Sequence, residues 1–219
     1  MMMPVNIFVA GVLVLWCLPA QAQTDKFQVD VPAQAVLEVE ASRALVRQKK
    51  MVPAIERLVS LVETEPDYYR AYYNLGLALA KSGQAETGLQ ALEKAAQIKE
   101  DQHIEDVTLL ASIGWTHYLT GNYQSAKEVL EEALQQQGLK ESSRIKILNN
   151  LGTVHKRLGE FAAAREVLME SAAAGSTRAE ANIRIIDATE RMQIQVQRSL
   201  PFNLVVPEGS KNTGGGESH

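Results

Sequence analysis

Two imidazoles, His117 and His155, occupy positions 38 residues apart. Neutral imidazole is a metal ligand and, near neutral pH, a base, so such a pair could grip a metal or move a proton. A metal site asks for three or four ligands. No carboxylate or third histidine is spaced to complete the set. The expectation is two packed, hydrogen-bonded rings, with no metal and no cofactor. Motifs for nucleophilic, phosphate-binding or zinc-protease chemistry (G-x-S-x-G, G-x-G-x-x-G, the Walker loop, H-E-x-x-H) are absent. A non-catalytic protein is therefore expected. An enzyme with a dispersed site around His117 or His155 is the alternative in a different class. The acidic patch Glu128, Glu131 and Glu132 reads as a solvated helix face.

The other side chains with chemical promise are those that bind. Trp115 and Tyr118 are three apart, so they share one face of a helix. Aromatic side chains of this kind bury much area with few torsions to freeze, which suits them to anchor an interface. Equally, Trp115 could simply pack between neighbouring helices.

What positions these residues is a repeat. Gly76, Gly114 and Gly152 are 38 apart, as are Gly83, Gly121 and Gly159, and Leu92, Leu130 and Leu168. Self-similarity at a fixed period is the signature of a solenoid. Residues 112–138 show the unit: two amphipathic helices joined at Thr120-Gly121-Asn122. Gly114 removes a side chain where two helices must approach closely. Gly121 ends the first helix, because glycine takes the left-handed C-cap conformation without steric cost. Ala126 and Ala133 are small positions facing the first helix, and Leu130 and Tyr123 fill the gaps between them.

With these residues in place, the chain resembles the tetratricopeptide repeat family. Tyr72, Leu75, Gly76, Leu79, Gly88, Leu92 and Ala95 fill that family's slots in one copy. Leu110, Ile113, Gly114, His117, Ala126, Leu130 and Ala133 fill them in the next. Leu148, Leu151, Gly152, His155, Ala164, Leu168 and Ser171 fill them in the third. The period exceeds the family's usual 34 by about one helical turn. The extra residues are expected between pairs, near 99–106 and 137–144. The resemblance implies an all-α, right-handed α-solenoid of helix pairs with a C-terminal capping helix.

It also implies a concave groove lined by the first helix of each pair. By slot matching, the first copy supplies Arg70, Tyr73, Asn74 and Leu77. The second supplies Thr108, Ala111, Ser112, Trp115 and Tyr118. The third supplies Lys146, Asn149, Asn150, Thr153, Lys156 and Arg157. Some members of that family grip a terminal carboxylate with Asn and Lys or Arg at groove slots. The match here is partial, since Thr108 and Ser112 stand where cations are expected, while Asn150, Lys146 and Arg178 are better placed.

The remaining segments frame the repeats. Residues 1–22 hold an apolar run, Pro19 and an Ala20-Gln21-Ala22 cleavage site, the pattern of a secretory signal peptide, although no Lys or Arg precedes the run. An uncleaved anchor and a lipidated Cys17 are the alternatives; Trp16 before that cysteine argues against lipidation. Cleavage would remove the sole cysteine, leaving no disulfide and no thiolate. Residues 23–32 are a polar lead-in. A divergent repeat is expected over 33–66, with Ser42, Ala54, Leu58 and Leu61 in the slots and Pro66 closing it. Clear repeats follow over 68–100, 106–138 and 144–175. A capping helix is expected over 177–199, N-capped by Ser176 or Thr177. Its Ile183, Ile186 and Ile194 should cover the last repeat, with Arg184, Asp187, Glu190 and Arg191 facing water. Residues 200–219 form a tail in which Phe202, Leu204, Val205 and Val206 could dock locally, ahead of a Gly-rich end.

The formal net charge of −4 is too small to imply nucleic acid or an anionic membrane as partner. The function expected is an interaction module of the cell envelope, in a bacterial periplasm or secreted. It would bind a protein or peptide segment in its groove, with no membrane span left after cleavage. The alternative is a self-associating scaffold of an envelope assembly such as a secretion or pilus system.

Overall fold

A computed structural model describes residues 31–199. The signal peptide, most of the lead-in and the tail expected from the sequence lie outside the described residues. Within them the chain forms nine α-helices and no strand: α1 (Ala33–Arg47), α2 (Met51–Thr64), α3 (Tyr69–Lys81), α4 (Ala85–Asp101), α5 (Leu109–Leu119), α6 (Tyr123–Leu134), α7 (Glu141–Leu158), α8 (Phe161–Ala173) and α9 (Thr177–Ser199). The fold is an all-α solenoid, as the repeat predicts.

All four hairpin turns share one mechanism, with Lys49 at φ +62° in the glycine position after α1. After α5, Gly121 takes φ +84°. Its N–H then reaches Tyr118 O at 3.2 Å, and the N–H of Asn122 reaches His117 O at 2.9 Å. This crossed pair satisfies carbonyls that the helix end would leave bare. Gly83 and Gly159, with their following residues, repeat the pattern after α3 and α7.

The core is a column of leucines. Leu58, Leu92, Leu130 and Leu168 are each at most 1% exposed. Every fully buried leucine contributes about 1.5–3 kcal/mol of transfer free energy. Each of the last three seats its Cγ on a glycine of the preceding helix: a Cβ added at Gly76, Gly114 or Gly152 would lie 2.5–2.7 Å from it. In the first pair Ser42 takes the glycine slot, fully buried, with its hydroxyl donated to Glu38 O at 2.8 Å. Ser171 likewise sits fully buried in an alanine slot and donates to Ile145 O.

The inserted turns are absorbed differently at the two junctions. Between the first two clear copies, α4 runs on to Asp101, six residues past the buried Ala95; α6 stops one residue past the equivalent Ala133. Between the next two, α7 starts 11 residues before Gly152, where α5 starts five before Gly114. One helical turn is thus added to an outer helix in one case and to an inner helix in the other.

Curvature follows from which helices touch. α1 meets α3, α3 meets α5, α5 meets α7 and α7 meets α9, whereas no two of α2, α4, α6 and α8 make contact. The first helices are therefore crowded on the concave side and the second helices splay on the convex side.

The cap departs from expectation in two ways. Ser176 is the N-cap, its Oγ accepting the N–H of Ala179 at 3.2 Å, and Ile186 is fully buried with Ile183 packed beside it. Ile194, however, is 49% exposed, because α9 continues past the last repeat and residues 191–199 are all exposed. Asp187 and Glu190 do not simply face water: both bind the Arg165 guanidinium of α8, Asp187 at 2.9 Å. No described helix is long and apolar enough to cross a membrane.

Candidate functional site

The inner helices bring several of the expected groove residues into one cleft of about 280 Å³. Tyr73, Leu77, Ser112, Trp115, Lys146 and Asn150 line it, together with Thr108, Ala111, Ser143 and Ile147. Each element contributes through helical spacing: Tyr73 and Leu77 are one turn apart on α3, Ser112 and Trp115 on α5, Lys146 and Asn150 on α7.

Side-chain bonds hold this wall in shape. The Tyr73 hydroxyl lies 3.1 Å from Ser112 Oγ and 3.3 Å from Thr108 Oγ1. Behind it, Asp106 accepts the N–H and the hydroxyl of Thr108, both at 2.7 Å, and the Tyr69 hydroxyl at 2.8 Å. Burial acts to raise the Asp106 pKa, but these hydrogen bonds outweigh it and hold the carboxyl below its ordinary value. Burial first, then the bond to Asp106, push the Tyr69 phenol upward. Asp106 thus starts α5 at a set height against α3, which aligns the two halves of the cleft.

Trp115 is half-buried and belongs to none of the core clusters. Its ring stacks on Tyr118, centroids 4.7 Å apart and planes 16° from parallel. Tyr118 tilts onto Tyr123 and accepts a hydrogen bond from Arg157 Nε at 3.2 Å. A rigid aromatic pair, tied to α6 on one side and α7 on the other, thus borders the cleft.

Other expected groove residues sit elsewhere or are engaged. Arg70 is exposed at the start of α3, and Asn74 spends its amide on Arg70 O at 2.7 Å. Thr153 donates to Asn149 O within α7, and Lys156 is half-buried. Asn149 is a correction: only 5% exposed, its amide donates to Ile145 O and to Ser176 Oγ, each at 2.9 Å. It ties the cap to α7 rather than lining the groove.

The histidines part company. His155 is buried, with Nδ1 2.5 Å from Glu160, whose carboxylate also receives Lys127 of α6 at 3.0 Å. The His155 bond, then Lys127, hold the Glu160 pKa below its ordinary value. His117, expected to be hydrogen-bonded, has a buried Nδ1 with no partner. Among the described residues no three potential metal ligands gather at one place.

Slot matching missed a second cleft of about 300 Å³. It lies between α1 and α3, floored by Leu58 and lined by Arg43, Arg47, Asn74, Leu77, Ala78 and Lys81. The signal was present: Arg43 and Arg47 are one turn apart, and Lys81 continues the stripe of Arg70, Asn74 and Leu77. The degraded repeat pattern in α1 hid it.

Residues 67–138 match one tetratricopeptide repeat model and residues 144–174 another. This is a tetratricopeptide repeat fold. The tetratricopeptide repeats align with PilF of Pseudomonas aeruginosa at 17% identity and TM-score 0.62, covering 75% of this chain and 72% of that one. A putative kinesin light chain of Podosopora anserina with nearly identical repeats aligns at 16% and 0.63, covering 77% and 92%. MamA of Desulfovibrio magneticus RS-1 aligns at 14% and 0.56, covering 77% and 97%. At these identities the likeness is one of fold. No curated protein matches the sequence. Repeats of this kind generally serve protein–protein interaction.

Proposed function

We propose that this chain is an exported, non-catalytic interaction module that holds an extended segment of a cell-envelope protein in its concave groove. The observation that carries the reading is the Trp115 cleft. A large aromatic ring stands outside the core, stacked and oriented by Tyr118, on the face where the inner helices converge. Preorganised aromatic side chains beside a cleft bind with little entropy left to lose. The export half of the reading rests on residues 1–22, with the bacterial periplasm as destination and secretion as the alternative. Crosslinking pull-down from the envelope fraction with wild type and the Trp115→Ala/Tyr118→Ala double variant tests the groove. Partners captured by both proteins alike, with helicity unchanged, would refute it. Sequencing the mature N-terminus tests export, with Gln23 expected first.

A second reading, a self-associating scaffold, draws on α9. Met192, Ile194 and Val196 are each about half or more exposed on the stretch that overhangs the last repeat. Sedimentation separates the readings, because a strict monomer at working concentration excludes obligate self-assembly.

A further inference from the structure

The chain's small net charge conceals a separation. The inner helices α1, α3, α5 and α7 carry eight Lys or Arg against three Glu, a balance of +5. The outer helices α2, α4, α6 and α8 carry five against eleven Glu or Asp, a balance of −6. The pairing pattern sharpens the contrast. Arg57, Lys127, Arg144 and Arg165 all reach carboxylates on other helices or on the turn before α8, and Arg43 has Glu40. Arg47, Arg70, Lys81, Lys146, Lys156 and Arg157 have no ion-pair partner among the described residues. The unpaired inner carboxylate is Glu141, at the N-terminal end of α7.

Like charges left unpaired on the inner helices repel one another and add nothing to folding; Arg43, Arg47, Lys81 and Lys146 among the inner cations line the clefts of the concave surface. They raise the local potential, since a concave surface with low-dielectric walls focuses it. The two clefts then differ in chemistry. The α1/α3 cleft has three cations at its rim, Arg43, Arg47 and Lys81. The α3/α5/α7 cleft has one, Lys146, and is walled by Tyr73, Trp115 and Ile147. Leu77 is shared by both, so the clefts adjoin.

We propose that the partner segment is acidic, with a bulky apolar side chain seated beside Trp115 and carboxylates about four residues away against Arg47 and Lys81. The spacing follows from geometry. The clefts lie roughly one and a half inner-helix spacings apart, about 12–15 Å at 8–10 Å per helix pair. An extended chain rises about 3.3 Å per residue. Internal carboxylates suffice, because the cations that would receive them, Arg47 and Lys81, lie in the α1/α3 cleft and not beside Asn150 and Lys146 in the other. This inference rests on the groove reading and adds the chemistry of the occupant.

The test is selection of a random 12-residue peptide display library on the immobilised full chain. It is repeated on Trp115→Ala and on Arg47→Glu/Lys81→Glu, with helicity checked for each. The expected outcome is enrichment of peptides with a Leu, Phe or Trp and Asp or Glu about four positions away. Their binding should fall at least tenfold in either variant, and severalfold between 50 and 300 mM salt. Peptides lost in Trp115→Ala but neutral or basic in composition would overturn the acidic occupant and leave the groove reading standing. Enrichment that both variants retain, or none at all, would overturn both. A fluorescein-labelled oligo-dT of 12 nucleotides runs in parallel; tighter groove-dependent binding of it than of the best peptide would replace the peptide with a nucleic acid.

Discussion

Gly88→Ala probes how tightly the first clear pair closes. In an exposed helix interior, replacing glycine by alanine stabilises by about 1 kcal/mol, because alanine has the higher helix propensity. Here the sign should reverse. A Cβ at position 88 would lie 2.8 Å from Gly76 O, 2.9 Å from Ala80 N and 3.3 Å from Ala80 Cα, all backbone atoms of α3. Backbone cannot rotate aside as a side-chain end can, so α3 and α4 must part. That loosens Leu92, which is fully buried on the same seam. Overpacking of this kind costs typically 1–3 kcal/mol, occasionally more. Taking the upper end for a backbone clash and subtracting the propensity gain leaves a net loss of about 2 kcal/mol. Urea denaturation followed by circular dichroism reads it as a lower midpoint. A Gln90→Ala control on the exposed face should shift it little. Gly88→Ala matching or exceeding wild type in stability would refute the close approach of α3 and α4.

Three further outcomes follow from the geometry. Trp115→Ala should cut capture of an envelope partner at least tenfold while changing the far-UV spectrum little, because Trp115 belongs to no core cluster, whereas Tyr118, which packs on the α6/α7 core, is left in place. Asp106→Asn should cost about 1.5–3 kcal/mol, the range for hydrogen bonds to a charged acceptor. Because the folded Asp106 pKa lies below its ordinary value, its contribution is present above that value and is lost as pH falls through the folded one. An acid titration of stability in which wild type loses its advantage over the variant below about pH 4 would bear this out; a constant gap across pH would not. Arg165→Ala should fray α9, so hydrogen exchange should quicken over residues 183–199 and not over α3–α6.

The parts legible in the sequence were those forced by contact. Glycine at 76, 114 and 152 and leucine at 92, 130 and 168 recur because each leucine needs the space its glycine vacates. That demand is written at a fixed period. The cleft around Trp115 followed from the same register. Less legible were features that depend on where helices end in space. An inserted turn can lengthen either flanking helix, and the composition of 99–106 and 137–144 does not choose between them. Asn149 sits in a groove slot by count, yet α9 crosses there and claims its amide through Ser176. Ile194 matches the periodicity of a covering residue, but the stack ends before it. Arg165 reads as an exposed cation of α8 until α9 brings Asp187 and Glu190 alongside. The α1/α3 cleft was less legible because Ser42 stands for glycine in α1: the first pair reads as a divergent repeat, and its groove-facing positions carry no repeated marker.

If the reading is right, the crowded inner face receives the partner. A photoreactive residue at Leu77, between the two clefts, and another at Glu131, on the convex side of α6, test it most directly with the tightest peptide from the selection, whatever its composition. A covalent adduct should form at position 77, be reduced by Trp115→Ala, and be absent at position 131. Adducts at 131, or equal yields at both, would contradict that reading.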